Sequence, residues 1–320
     1  MLSIQCLIIS AIAIVLPAAP ALAQPAPRDK AAAQIECDKA HKLLNAKEYD
    51  KAIVAFTAAI TLDPTADGVY FSRSSVYGSR PDIKNRKLDL AIADLDRVLQ
   101  LKPGNYSALF NRAGYYREVK KYDDSIRDYT EIISGATDFS NHVNGKDQCL
   151  ALTHCYRGDV YLRHKQDHDR AIKDYTEALR LNPKVNDYNF VFASRGSAHL
   201  AKKEYAKARD DFEAETKAHP DHAWPLEQLA RLLATCPDPK CRDGGKAVEV
   251  AEKAQKLTAG SDPAVLDTLA AAYAETGAFD KAIEWQEKAI KLSGAKPGNA
   301  AAPMEARLAL YRAKKPFRDE

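Results

Sequence analysis

No single charge sign dominates these 320 residues: 47 lysines and arginines are interspersed with 44 aspartates and glutamates, a formal net charge of +3. That balance removes the one-signed field by which nucleic acid or an anionic membrane surface is recognised, so no nucleic-acid partner is expected. Catalytic signatures are missing as well. There is no GxSxG, no HExxH and no phosphate-cradling glycine loop, and "RDGGK" at 242–246 is too short for one and reads as a turn leading into a helix. The cysteines form no CxxC pair. His164 and His168 have the i,i+4 spacing of helical metal ligands but fall in "RHKQDHD", between helices. The sequence therefore predicts no enzyme, no cofactor and no metal.

Long apolar runs are confined to the first 23 residues, "MLSIQCLIISAIAIVLPAAPALA", which break at Pro17 and end in the small-residue pattern Ala21-Leu22-Ala23. No lysine or arginine precedes Arg28, although a secretory signal normally starts with positive charge. A retained anchor is the rival reading, but the run is shorter than the roughly 20 apolar residues a spanning helix needs. The expectation is a cleaved signal at 1–23, a mature chain with no membrane span, and a periplasmic or secreted location. Cys6 does not stand at the cleavage point, which argues against a lipoprotein.

Export would place Cys37, Cys149, Cys155, Cys236 and Cys241 where disulfides persist. Cys236 and Cys241 bracket the turn "PDPK" and are expected to form a bridge. Cys149 and Cys155 would point to different faces of one helix, so they pair only if Cys149 lies off it. The odd number leaves at least one free thiol.

What the chain does have is repetition. "AIVAFTAAITLDP" (52–64), "AIADLDRVLQLKP" (91–103) and "AIKDYTEALRLNP" (171–183) are near copies. Aligned on their first residue, Ala52, Ala91, Ser125, Ala171, Ala208, Ala247 and Ala282 are spaced by 39, 34, 46, 37, 39 and 35 residues. A bulky residue follows by four (Phe56, Leu95, Tyr129, Tyr175, Phe212) and a small or apolar one three later, which puts all three on one helix face. Pro64, Pro103, Pro183 and Pro220 stop the helix, because proline has no N–H and clashes with the preceding turn. Upstream lies a second amphipathic segment, as in "YFSRSSVY" (70–77), "LFNRAGYY" (109–116), "HCYRGDVY" (154–161) and "FASRGSAH" (192–199). Its small residue precedes a ring by three and would let the paired helix approach closely.

Two antiparallel helices in about 34 residues, with these small, aromatic and proline positions, resemble the tetratricopeptide repeat (TPR). The resemblance implies an all-α fold: a right-handed superhelical TPR solenoid of about seven helix-turn-helix repeats with a C-terminal capping helix. The units read as 33–66, 67–105 and 106–139, then 151–185, 189–222, 223–261 and 263–296, with "PMEARLALYR" (303–312) covering the open apolar end. The closing stretch from "LLATCPDPKC" onward is similar to that of many bacterial TPR proteins.

An arginine and an aspartate travel together through units two to five: Arg73 with Asp94, Arg112 with Asp128, Arg157 with Asp174, and Arg195 with Asp211. A basic ladder for an anionic ligand is one reading. The preferred one is a structural ion pair inside each repeat, since these arginines fall on the packing face. In TPR arrays the first helix of each unit lines the concave surface, so the resemblance offers Phe71, Phe110, Asn111, Arg117, Tyr156, Arg163, Phe190, Trp224, Gln228 and Arg231 as a partner-binding groove. Rings with scattered arginine and amide groups suit a peptide or an amphipathic helix. The plainer alternative is that some, Trp224 above all, pack a neighbouring helix. The lysine and asparagine clamp with which some TPR grooves hold a chain-end carboxylate is matched only at Asn111. Two inserted loops, 78–89 and 140–149, read as solvated turns. The functional expectation is a non-enzymatic, exported scaffold that binds a protein or peptide, in envelope assembly or a secreted complex. The second reading is an accessory protein that recognises a small molecule or a glycan or peptidoglycan fragment.

Overall fold

The computed structural model describes residues 29–79, 86–135, 139, 145–185, 191–294 and 302–319. The expected signal at 1–23, Phe190 and half of each inserted loop lie outside these residues. The described residues form fifteen α-helices and no strand. The chain divides into two compact bodies, one ending at Ala66 and one starting at Asp67.

The first body is a helix pair, α1 (Lys30–Asn45) and α2 (Tyr49–Leu62). Asp29 caps α1 by accepting from the Ala32 N–H. Alanines and Phe56 fill the contact, and the His41 ring stands edge-on to Phe56 at 5.1 Å.

The second body carries six further pairs and a last helix. They are α3 (Asp67–Ser79) with α4 (Leu88–Leu101), α5 (Tyr106–Glu118) with α6 (Tyr122–Ile133), and α7 (Gly145–Val160) with α8 (His168–Leu181). Then come α9 (Val191–Ala201) with α10 (Tyr205–Ala218), α11 (Ala223–Thr235) with α12 (Gly244–Leu257), and α13 (Pro263–Glu275) with α14 (Phe279–Leu292). Within this body each helix packs on its neighbours along the chain, and α15 (Ala302–Arg312) packs on α14.

The repeated residues are the contact residues. All seven leaders of the second helices, Ser125 included, are 0% exposed. Ser125 satisfies its hydroxyl by donating to the Ala113 carbonyl at 2.8 Å. The bulky residue four positions on is also buried, and the small residue of the first helix makes room for it. A side chain added at Gly158 or Gly196 would stand 3.0 Å from the ring of Tyr175 or Phe212. The ring that fills the gap thus comes from the second helix.

In five of the seven pairs the turn carries a left-handed residue: Lys47, Lys120, Gln166, Lys203 and Gly277 all have positive φ. In unit four the first helix runs on through a π-helical turn, Tyr161–Lys165, before Gln166 reverses it. His164 therefore ends that turn, stacked on Tyr122 at 4.1 Å, and His168 begins α8. Among the described residues no group of His, Cys, Asp and Glu could hold a metal ion.

The arginines and aspartates of units two to five meet in two-pronged pairs with nearly buried side chains, at 2.7 Å for Arg73–Asp94, 2.8 Å for Arg112–Asp128, 2.7 Å for Arg157–Asp174 and 2.6 Å for Arg195–Asp211. Three of them also reach backwards to the second helix of the preceding unit. Arg112 bonds Asp96 at 2.7 Å, Arg157 bonds the Thr130 hydroxyl at 2.9 Å, and Arg195 bonds that of Thr176 at 3.2 Å. At unit seven the polarity inverts. Asp267 on α13 accepts from Gln286 and from Arg307 of α15, at 2.7 and 2.8 Å, and Tyr311 of α15 is fully buried in the adjoining core.

Asp174 has a third donor, the His154 ring at 2.8 Å. Burial pushes its carboxyl up, but the bonds from His154 and Arg157 outweigh this and hold it below the usual carboxylate range. A depressed carboxylate adds stability above its ordinary pKa of about 3.9, and that stability is lost as pH falls through the lower folded value. Asp174→Ala should lower the unfolding free energy near neutral pH by about 3–5 kcal/mol, because Arg157 is left buried without its partner. It should also flatten the loss of stability on acidification, and urea titrations at neutral and acidic pH check both.

Candidate partner-binding groove

The residues expected to face a partner fall into two groups on the second body. In the first, α5 and α7 bring Phe110 and Tyr156 edge to face, 5.3 Å between ring centres. Tyr106 stacks on Phe110 at 5.4 Å, and buried Tyr129 of α6 forms the floor under both Phe110 and Tyr156. The Arg117 guanidinium lies 5.3 Å over the Tyr156 ring. Phe110, Tyr156 and Arg117 are half-buried, so each keeps an open face. Arg163, mostly exposed on the π turn, leans toward Asp159 at 4.0 Å, and Asp159 accepts from the Tyr175 hydroxyl at 2.7 Å. Burial pushes the Asp159 carboxyl up against these donors.

The second group lies on α11. Gln228 donates to buried Glu227 at 2.6 Å, which in turn accepts from Thr268 at 2.6 Å. Arg231, one turn on, binds Asp319 through two nitrogens at 3.0 and 3.1 Å. Gln228 and Arg231 line a cavity of about 310 Å³, bounded also by Lys203 and Tyr205 at the turn of unit five and by Thr235 and Cys236 at the end of α11. Trp224, 45% exposed, stands two turns before Arg231 on the same helix. Phe71 and Asn111 are half-buried on α3 and α5.

The bridge expected between Cys236 and Cys241 is absent. All five described cysteines are buried free thiols. A single 3₁₀ turn, Pro239–Cys241, brings the two thiols against each other, and Arg242 holds the turn by donating to the carbonyls of Cys236 and Pro237 at 2.8 and 3.1 Å. Burial pushes the Cys236 thiol up to about 11. Cys149 and Cys155 both lie on α7, on different faces.

Several contributors were missed in the sequence. Asp96, Thr130 and Thr176 each lie two residues after a paired aspartate, a spacing visible in "DLD" and twice in "DYT". Lys203 and Asp319 carried no signal, because nothing in their local pattern points to α11.

Models of the tetratricopeptide repeat match residues 82–140, 157–223 and 264–296. The chain belongs to the TPR family. Its structure is similar to the C-terminal part of a TPR repeat-containing protein from Cytophaga hutchinsonii, at 19% identity over 81% of this chain and 96% of that one, TM-score 0.60. It is also similar to a tetratricopeptide repeat protein from Parabacteroides merdae, at 14% identity over 88% and 99%, TM-score 0.54. Human sperm-associated antigen 1 is 28% identical over 103 residues, 32% of this chain and 10% of that protein. The matched stretches span about a tenth to a quarter of the lengths of the curated relatives. TPR proteins are generally protein-interaction scaffolds that bind protein or peptide partners, and no described helix is long and apolar enough to cross a membrane.

Two substitutions separate folding from contact in the first group. Phe110→Ala removes ring packing on three neighbours and should cost about 1–3 kcal/mol of stability. Arg117→Gln should cost no more than about 0.5–1 kcal/mol, the worth of a partly exposed cation–π contact. Urea midpoints of both variants check this and establish Arg117→Gln as the cleaner probe of binding.

Proposed function

We propose that this TPR protein is a non-enzymatic scaffold that holds an extended peptide or a helix of a protein partner against the first helices of its repeats. The observation that carries the reading is the half-buried aromatic group of Phe110 and Tyr156 with Arg117 stacked on it. Its floor is rigid and its open faces are apolar, which is how interface anchors are built. A small-molecule or glycan ligand is the second reading, favoured by the cavity of about 310 Å³ beside Arg231, which is at the lower end of ligand-pocket size.

Export and a place in the periplasm, in envelope assembly, belong to the same proposal and rest on the apolar opening and Ala21-Leu22-Ala23. Expressed in a bacterium, the mature protein should begin at Gln24 by mass spectrometry of its N-terminus. Retention of Met1 would overturn export.

The binding reading is tested by affinity capture from envelope extract, comparing the wild type with a Phe110→Ala/Tyr156→Ala variant and with Arg117→Gln. A protein retained by the wild type and lost by the double variant, with Arg117→Gln reduced, is the expected result. Equal retention by all three forms would remove the aromatic group from the interface.

A further inference from the structure

Beyond α15 the chain does not leave the fold. Lys314, at a φ of +53°, closes a turn in which the Lys315 N–H donates to the Leu310 carbonyl, and residues 316–319 run back across α13 and α11. Three consecutive side chains then make three different contacts. Phe317 packs half-buried against the core that holds Leu269 and Tyr311, with the Arg307 guanidinium 5.3 Å from its ring. Arg318 reaches Glu275 at 2.6 Å. Asp319 binds through side chain and backbone together. Its carboxylate accepts two bonds from Arg231 and one from the Thr235 hydroxyl at 2.6 Å, and its N–H donates to the Thr235 carbonyl at 2.9 Å.

This is how an extended peptide is held: a main-chain bond for register, a forked guanidinium for an acid and an apolar seat for a ring. The seat continues into the cavity on α11. Asp319 is the only acid among the residues lining that cavity, and the other charged ones are Lys203 and Arg231. Without Asp319, the cavity wall would present two cations, the Thr235 hydroxyl and the Gln228 amide with no anion among them. The contact is also reachable from solvent, since the Arg231 and Asp319 side chains are 45% and 38% exposed.

We propose that Arg231, Thr235 and the adjoining cavity are a binding subsite for an acidic residue of an extended partner peptide, with residues 317–319 occupying it as a tethered competitor. The proposal rests on the peptide-binding reading above and names a second contact region for it. The partner segment carries an aspartate or glutamate with an aromatic residue two positions before it, as Phe317 precedes Asp319. It differs from a clamp on a chain-end carboxylate, because the group bound is a side chain.

The test uses the full chain and a fluorescein-labelled, amidated peptide of residues 313–319, Ala-Lys-Lys-Pro-Phe-Arg-Asp, followed by anisotropy. A tether holds its ligand at millimolar effective concentration, so the wild type should bind the free peptide at least about tenfold more weakly than a released form, Phe317→Ala/Arg318→Ala/Asp319→Ala, does. Adding Arg231→Ala to that released form should abolish binding, and a peptide with alanine in place of its aspartate should not bind. Phe317→Ser/Arg318→Gln/Asp319→Ser serves as the second released form, with circular dichroism and urea midpoints as folding controls. Equal binding by the wild type and both released forms overturns the competitor, and no binding to either released form overturns the subsite. Either failure leaves the aromatic group to be judged by the capture experiment, whose variants do not touch α11.

Discussion

A guanidinium taken out of water must be given a carboxylate, and in units two to five that requirement sets the packing. The first helix of each unit buries an arginine against the second, and only the aspartate three residues after the second helix's leader can meet it. With the pair formed, the leader and the ring behind it drop into register against the small residue of the first helix. Its stability worth is modest, since replacing a buried pair by well-packed apolar groups is often neutral, but breaking one partner is costly. The pair therefore acts as a register pin. Apolar burial along the repeats supplies the driving force.

Much of this was legible in the sequence because it repeats. The buried leaders, the bulky residues and the arginine–aspartate partners all recur at fixed offsets, and a pattern written four to seven times is read with little ambiguity. What escaped was whatever occurs once or joins distant segments. The π-helical turn after Val160 leaves no periodic mark. The second partners of Arg112, Arg157 and Arg195 belong to the preceding unit, and attention to pairs within a unit passes over them. The Cys236–Cys241 bridge was inferred from a tight turn that does exist, but turn composition says nothing of how deeply the two thiols are buried. The run from Lys314 to Asp319 lies outside the repeats, and only the fold shows that it returns to Arg231.

The binding surface was less legible than the fold for a related reason. Packing positions are constrained alike in every unit, whereas groove positions differ from one unit to the next. Phe110, Arg117 and Tyr156 were picked out individually, yet that they form one stacked group depends on how α5 and α7 cross above Tyr129. Gln228 and Arg231 were picked out as well, but the cavity they share needs Lys203 and Tyr205 from the turn of the preceding unit. A TPR fold thus supplies the shelf, and single side chains at the junctions between units decide what rests on it.

The backward reach of Arg112, Arg157 and Arg195 gives the repeats a direction. Each arginine finds Asp96, Thr130 or Thr176 in a helix that precedes it in the chain. During synthesis, which runs from the amino end and releases units one after another, the acceptor for each new unit is already in place when its arginine emerges. Each of these three units meets a finished helix on one side, while the carboxylate that neutralises its arginine, 16 or 17 residues further on, arrives with its own second helix.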